Sequence, residues 1–498
     1  MTWAAPALFA LRSIPGCSDP VASDFTVDTL MTRDGADLKE PIHMALDRGP
    51  GGDVDIWFTE RYGKLRKYDG ATRRVADAGS VTAATMGENG LLGIALDPGF
   101  KSNRRLYLYY VTRQGGFQYR VSRFTLAGDR LDPASEKPVI AIPTDSVWHT
   151  GGALGFDLHG DLWITVGEAM AGEGGPSNTN SLLGKILRIH PEEDGTYSIP
   201  VGNLYPPGTP KTRPEVYIMG NENPFTIALD PATGWMAWGE IGPDGHGLTE
   251  ELNIATRPGN HGWPYFAGNY SLYGAKNPLM PINDSKQNTG RDTLPPAIPG
   301  SFIYPQSAAI TGPIFRYDPA NAAGDGLPPH FDGLWFATDF NPYGGYAGRI
   351  DTLSLDANAK PGPRGALSTA IKLDRPLDFQ QGPDGALYIL NYGGFFSTTE
   401  KTAFIRVGYH GSCHPMGLAG SVRERTQALQ VSGLRVRVWA TGACVLRVHD
   451  LSGALLYERN GAGEIDLAAA LPNARGVCAV TLETTTGRFR VKAVFAPR

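Results

Sequence analysis

The chain has 498 residues, enough for three average domains or for one large all-β body with an appendage. Glycine (63) and proline (39) make up about a fifth of it, short of a disordered composition, and 41% hydrophobic content with nine Trp and twenty Tyr can fill a large core. A net charge of −5 without any basic stripe argues against a nucleic-acid partner and leaves small neutral ligands as the expectation.

From the N-terminus, residues 1–24 read as a leader. Trp3 to Leu11 is short and apolar, Arg12 interrupts, and Ile14-Pro-Gly-Cys17 follows. This resembles a secretory or lipoprotein signal without its basic n-region, which implies a secreted or periplasmic protein with a lipid anchor at Cys17. An unstructured leader is the plain alternative. No apolar run reaches about 18 residues, so no transmembrane helix is expected.

One phrase then recurs: an aliphatic residue and Asp or Gly lead through a turn into a strand rich in aromatic and β-branched residues. Its copies are Met44-Ala-Leu-Asp47 with Asp55-Ile-Trp-Phe-Thr59, Ile94-Ala-Leu-Asp-Pro98 with Leu106-Tyr-Leu-Tyr-Tyr110, and Leu154-Gly-Phe-Asp157 with Leu162-Trp-Ile-Thr165. Ile227-Ala-Leu-Asp-Pro231 with Trp235-Met-Ala-Trp238 is the fourth; the fifth has only a second half, Gly333-Leu-Trp-Phe-Ala-Thr338. Phe379-Gln-Gln-Gly-Pro-Asp-Gly385 with Leu387-Tyr-Ile-Leu390 is the sixth. Most copies are followed by a strand carrying a basic residue, as in Lys64–Tyr68, Val121–Phe124, Ile186–Ile189, Gly348–Ile350 and Phe404–Val407. A unit of two to four short strands cannot bury both faces alone, so the units must stack. Six copies predict a six-bladed β-propeller over residues 25–410. A pair of β-sandwiches would need no such repeated phrase.

Residues 169–182 and 264–312, rich in Gly, Pro, Asn and Ser, read as long loops over a pocket face. Residues 411–428 read as a linker, and the alternating strands of 429–498 as a small β-sandwich with no chemical motif. The four cysteines form neither CxxC nor CxxCH, which excludes zinc ribbons and c-type haem attachment. Cys444 and Cys478 fall in two strands of the small domain, where a disulfide depends on Cβ geometry that spacing does not reveal.

Candidate chemistry gathers between Trp148 and Pro243. His149 sits where a loop meets a strand, and Glu168 ends the next strand of the same unit. If both face the central channel, Glu168 can hold the imidazole while the other nitrogen takes a proton from a substrate hydroxyl. His43, His159, His246 and His261 read as turn residues without an obvious partner. Gly239-Glu-Ile-Gly-Pro-Asp-Gly245, followed by Glu250-Glu-Leu-Asn253, sets bare carbonyls beside carboxylates, an oxygen-only donor set that suits calcium; turn formation explains the same residues without a metal. Met86-Gly-Glu-Asn-Gly-Leu-Leu-Gly-Ile-Ala-Leu-Asp-Pro98 has no following helix, so it is not a phosphate-binding loop.

Taken together, Glu88–Ala95, His149-Thr-Gly-Gly152, Leu162–Glu168, Gly184-Lys-Ile-Leu-Arg188, Gly220-Asn-Glu-Asn-Pro224, Gly242-Pro-Asp244, Asn260-His-Gly-Trp-Pro264 and Gly382-Pro-Asp-Gly385 resemble the soluble PQQ-dependent glucose/sorbosone (aldose sugar) dehydrogenases. The resemblance implies a six-bladed propeller with PQQ and calcium as cofactors, and an aldose sugar as substrate. It implies that His149 takes the proton of the sugar C1 hydroxyl as hydride passes to PQQ. Glu168 stands where the family has an aspartate supporting that histidine. The carbonyls of Gly242 and Pro243 match calcium ligands. Glu88 and Asn223 match cofactor contacts, Glu88 replacing a glutamine, and Tyr304 and Arg349 are further candidate contacts.

The pattern also departs from the family. Where relatives carry an arginine at the quinone, this chain has Glu222, and Tyr304-Pro-Gln-Ser-Ala-Ala-Ile-Thr311 has no basic residue. Unit charges about 4 Å apart interact by about 4 kcal/mol at an effective dielectric of about 20, so such an exchange weighs heavily against a tricarboxylate. Two other readings therefore stand beside the dehydrogenase. One is a catalytically retired propeller that binds carbohydrate or another partner without PQQ. The other is a metal-dependent hydrolase using His149, Glu168, Glu222 and Asp244.

Overall fold

The computed structural model describes residues 20–411 apart from short segments (243–248, 269, 272–275, 306–307, 322–323, 341–347, 369–370, 395–396), and beyond them the strand backbones between Leu429 and Phe495. The proposed leader with Cys17 and most of the 411–428 linker lie outside the described residues. The chain divides into two compact units, Met1–His414 and Pro415–Arg498.

The first unit is a six-bladed β-propeller. Blades 1 to 3 are built on strands Pro41–Arg48 to Arg74–Ser80, Leu91–Leu96 to Arg130–Pro143, and Gly151–Phe156 to Val216–Met219. Blade 4 runs from Asn223–Leu229 to Phe302–Pro305, and blade 5 from Ala309–Ile314 to Pro361–Ala366. The first strand of each blade touches the first strands of both neighbours, which closes an inner ring of six. Blade 6 takes Pro376–Gln381, Leu387–Asn391 and Ala403–Tyr409 from the end of the unit and its outermost strand, Phe25–Thr32, from the beginning. That strand pairs antiparallel from Phe25↔Tyr409 to Thr32↔Ala403, so one ladder joins the two ends of the ring.

The repeated phrase has a packing cause. Its aromatic residue lies on the second strand of every blade and is nearly inaccessible: Trp57, Tyr107, Trp163, Trp238, Trp335 and Tyr388 are each at most 3% exposed. In blades 1, 3 and 6 the basic residue of the third strand covers that ring. Arg188 lies over Trp163 at 5.6 Å, Lys67 over Trp57 at 5.4 Å and Arg406 over Tyr388 at 5.9 Å. Blade 4 differs, because its third strand, Thr249–Ala255, brings Glu250 and Glu251 instead, and Trp238 meets the edge of His261 at 4.7 Å.

Several expectations need correction. The first half of the fifth copy exists as Ala309–Ile314, but a register shift between Thr311 and Ile314, at Gly312-Pro313, breaks its alternation. The 264–312 loop is shorter than expected, since its end contains the last strand of blade 4 and the first of blade 5. Gly348-Arg-Ile350 precedes its strand, which is Asp351–Leu355. In the second unit, sheets of three and four strands are present. Cys444 pairs with Thr484, whereas Cys478 lies one step beyond the His449↔Ala479 pair. At about 3.3 Å per residue the two cysteines stand about 20 Å apart along the ladder, far beyond disulfide reach.

Removing residues 25–32 would leave Ala403–Tyr409 as an open edge. The shortened chain is expected to melt about 10 °C or more below the full one and to aggregate on heating, read by calorimetry and light scattering. An unchanged midpoint would mean that this ladder does not hold the ring closed.

Candidate active site

His149 lies between blades 2 and 3 on a backbone that only interlocking loops can hold. Its φ of 53° is left-handed, as are those of Ala169 and Met170 (both 56°), a conformation costly for non-glycine residues and often found at functional sites. The main-chain N–H of His149 donates to Glu88 Oε2 at 2.8 Å, and Ala169 N donates to His149 O at 3.2 Å. Gly167 has to be glycine here, because a Cβ would stand 1.9 Å from the His149 carbonyl oxygen.

The His149 imidazole meets two carboxylates. Nδ1 lies 2.9 Å from Glu168 Oε1 and 3.8 Å from Glu222 Oε1. The second oxygen of Glu168 accepts from Gly172 N at 3.0 Å, and Glu168 N donates to Glu222 O at 2.7 Å. A carboxylate that accepts on both oxygens places the proton on Nδ1 and leaves Nε2 as the basic nitrogen. Glu168 is buried, and the His149 side chain is 22% exposed, open enough for a substrate hydroxyl to reach it. Asn223 joins the same frame, its Oδ1 accepting from Gly151 N at 2.9 Å.

Glu222 and Gly242 share the next wall. Asn223 pairs with Ile241 across blade 4, so Glu222 and Gly242 stand opposite each other one step along the ladder. Both line a small, open cleft that also holds Asn221, Glu240, Glu251, His261 and Trp263. Glu240, not singled out in the sequence although it stands two residues before Gly242, is the centre of this wall. Its Oε1 accepts from the main-chain N–H of Glu222 and from that of Asn223. Among the described residues its Oε2 has no partner, and neither do the two side-chain polar atoms of Asn221 or the indole N–H of Trp263.

The electrostatics of this wall are one-sided. Burial, then the charge of Glu251, hold Glu240 well above the usual carboxylate range. Burial does the same to Glu250, against its hydrogen bonds from Gly242 N and Ala309 N, and Asp339 adds to the shift. None of the cavity's lining residues is Lys or Arg, and none of the undescribed segments between residues 20 and 411 contains one. Arg61 reaches the Glu88 loop, but it pairs with Glu40 and donates to the carbonyls of Thr85, Gly87 and Asn89. The buried Lys185 donates to the carbonyls of Gly175, Pro176 and Leu183, three acceptors that take all three N–H bonds of an ammonium and pin the loop after Glu168.

The structure thus brings Glu88, His149, Glu168, Glu222, Asn223 and Gly242 into one connected frame. Pro243, Asp244 and His246 lie outside the described residues. Tyr304 and Arg349 form a neighbouring group: Tyr304 is buried and donates to Asp351 Oδ2 at 2.6 Å, and Arg349 Nε pairs with Asp351 Oδ1 at 2.6 Å. That group adjoins the frame through the Glu250↔Tyr304 strand pair. One histidine differs from the expectation of an unpartnered turn residue, and a second is more deeply buried than a turn would place it. His43 lies within a strand, 3.6 Å from Asp378 and with its ring against Phe225. His261 is buried, which pushes its pKa down to about 3 and keeps it neutral.

Comparison with known proteins places this geometry. A family profile described as "Glucose / Sorbosone dehydrogenase" matches residues 38–394. An uncharacterized protein of Synechocystis is 30% identical over 68% of this chain and 79% of its own length. The aldose sugar dehydrogenase YliI of Escherichia coli is 26% identical over 67% of the chain and 82% of its own length. Quinoprotein glucose dehydrogenase B of Acinetobacter calcoaceticus is 26% identical over 49% of the chain and 60% of its own length. Among solved structures, a Thermus oxidoreductase described as a glucose dehydrogenase superposes with a TM-score of 0.58 at 27% identity, covering 77% of this chain and 99% of its own. The PQQ-bound aldose sugar dehydrogenase of Streptomyces coelicolor shares the fold, with a TM-score of 0.55 at 22% identity over 78% of this chain and 99% of its own.

Carboxyls held above their usual value of 4.5 keep their protons in the folded chain where the unfolded chain has released them. Their contribution to stability is therefore full below that value and is lost as pH rises through the folded-state values. Glu240→Gln keeps the accepting Oε1 and removes the charge. It is expected to raise the melting midpoint by about 3 °C or more at pH about 8 and to leave it nearly unchanged at pH about 4. An equal shift at both pH values would contradict this assignment.

Proposed function

The chain belongs to the glucose/sorbosone dehydrogenase family, and from that premise we propose that it oxidises the C1 hydroxyl of aldose sugars with PQQ and calcium. The observation that carries the proposal is the His149–Glu168 pair at 2.9 Å, with Nε2 as the basic nitrogen. In this reading Glu168 fixes the ring and stabilises the imidazolium that forms when His149 takes the hydroxyl proton. Such positioned proton transfer is worth about 10²–10⁴-fold in rate. PQQ, when bound, supplies the two-electron acceptor for the hydride that leaves C1.

Donor chemistry supports the calcium half of the reading directly. Gly242 lines the same cleft as Glu222, and a main-chain carbonyl beside a carboxylate is the kind of hard oxygen donor set that suits Ca²⁺. The Pro243 carbonyl and Asn223 would complete the surroundings of the ion and cofactor, with Glu88, Tyr304 and Arg349 as outer contacts. The PQQ half fits on one condition. PQQ brings three carboxylates to a wall that already holds Glu222, Glu240 and Glu251 without Lys or Arg, so the calcium ion has to supply the counter-charge. The same acidic wall favours a second reading, a propeller that binds carbohydrate without PQQ. A secreted or periplasmic location would suit either.

Titration of the purified chain with PQQ, with calcium present and after chelation, separates the two readings, dye reduction with aldoses being followed in parallel. The expected result is PQQ binding that is lost on chelation and sugar-dependent dye reduction that falls about 10²–10⁴-fold in His149→Ala. Glu222→Arg is expected to tighten PQQ binding and weaken its dependence on calcium. No PQQ binding at about tens of micromolar with calcium present would end the redox reading, and sugar binding without cofactor would support the second.

A further inference from the structure

Two carboxylates stand near Nδ1 of His149, Glu168 at 2.9 Å and Glu222 at 3.8 Å. Whatever fixes that difference decides which of them holds the ring. Both follow strands that flank a single residue. Lys185 pairs with Val166, two residues before Glu168, on one side and with Met219, three before Glu222, on the other. The Lys185 side chain is wholly buried, and among the described residues no carboxylate pairs with it. An ammonium without a counter-ion is costly to bury, and an apolar side chain of the same length would fill the space without that cost. Its N–H bonds go to carbonyls instead, Gly175 O at 2.8 Å, Pro176 O at 2.9 Å and Leu183 O at 2.8 Å. From this point hydrogen bonds run in two directions. Toward Glu168, Gly175 N donates to Gly172 O at 3.3 Å, and Gly172 N donates to Glu168 Oε2 at 3.0 Å. Toward Glu222, the Pro176 carbonyl also accepts from Gly220 N, and the Gly184 carbonyl accepts from Asn221 N, both at 3.2 Å.

We propose that Lys185 is a positioning residue: its ammonium joins the Glu168 loop to the Gly220–Glu222 segment and so sets which carboxylate takes the proton of His149 Nδ1. Three N–H bonds converging on three carbonyls fix a point that an apolar side chain would leave free. The loop needs such a point, because Ala169 and Met170 hold a left-handed backbone that relaxes once its surroundings loosen. With the clamp in place, Glu168 accepts on both oxygens while Glu222 stays on the wall of the cleft. The inference rests on His149 being the base of the sugar-oxidising reading, and its test includes a measurement that needs no sugar.

The test uses the full chain with Lys185→Met and Lys185→Gln, the second keeping two N–H donors on a shorter arm. ¹⁵N spectra of histidine-labelled protein report the His149 ring, and glucose oxidation is followed with PQQ and calcium. The Nδ1 and Nε2 signals of Lys185→Met are expected to move toward a mixture of tautomers, with Lys185→Gln between it and the wild type. In Lys185→Met, kcat for glucose is expected to fall about 10- to 100-fold while KM changes less than about twofold. A folded variant with wild-type His149 signals would overturn the proposal, whatever its melting midpoint. If neither variant folds, amide exchange in the wild-type chain decides: the Gly172 and Gly220 N–H groups are expected to be protected to within about tenfold of each other, and Gly172 opening more than about 100-fold more readily than Gly220 would overturn the clamp. A wild-type chain that oxidises no sugar ends the dehydrogenase reading, and the His149 spectra still decide for or against Lys185.

Discussion

The site depends on how His149 is tied. Its main-chain N–H rests on the Glu88 carboxylate of blade 2, its ring on Glu168 of blade 3, and two residues on, Gly151 N rests on Asn223 of blade 4. Three blades thus meet at one residue held in a left-handed backbone. That conformation costs free energy of order 1–3 kcal/mol, which only over-determined surroundings can offset. The ring of blades supplies those surroundings, because each inner strand is locked between two others. Loosening any one of the three ties would let the backbone relax and turn the imidazole away from its carboxylate.

Charge is the second constraint. Glu222, Glu240 and Glu251 line one cavity with Glu250 behind them, and burial keeps Glu240 and Glu250 reluctant to ionise. A wall of this kind welcomes a cation and repels an anion. The residue opposite Gly242, Glu222, is itself a carboxylate and adds to that wall. Any anionic cofactor here must arrive with its own positive partner, which makes metal and cofactor binding one linked event.

Much of this was legible in the residues. The repeated aromatic turned out to be the plug of each blade, and in three blades the basic residue after it is the cover over that plug, so both parts of the phrase have a packing cause there. The proximity of His149 to Glu168 followed from strand ends in one blade. Other parts could not be read locally. The Gly312-Pro313 register shift hid the first strand of blade 5, and closure by Phe25–Thr32 joins segments almost a whole propeller apart in sequence. Glu240 stood inside a quoted motif, but its role arises from two main-chain N–H groups on a neighbouring strand. Nothing about residue type gave that away.

The most direct check of the account is the tautomer of His149, read by ¹⁵N NMR of histidine-labelled protein with the signal assigned by its loss in His149→Gln. The account expects the proton on Nδ1, donated to Glu168, and an unprotonated Nε2; Glu168→Gln should shift both signals. A proton on Nε2, or a spectrum indifferent to Glu168, would contradict it.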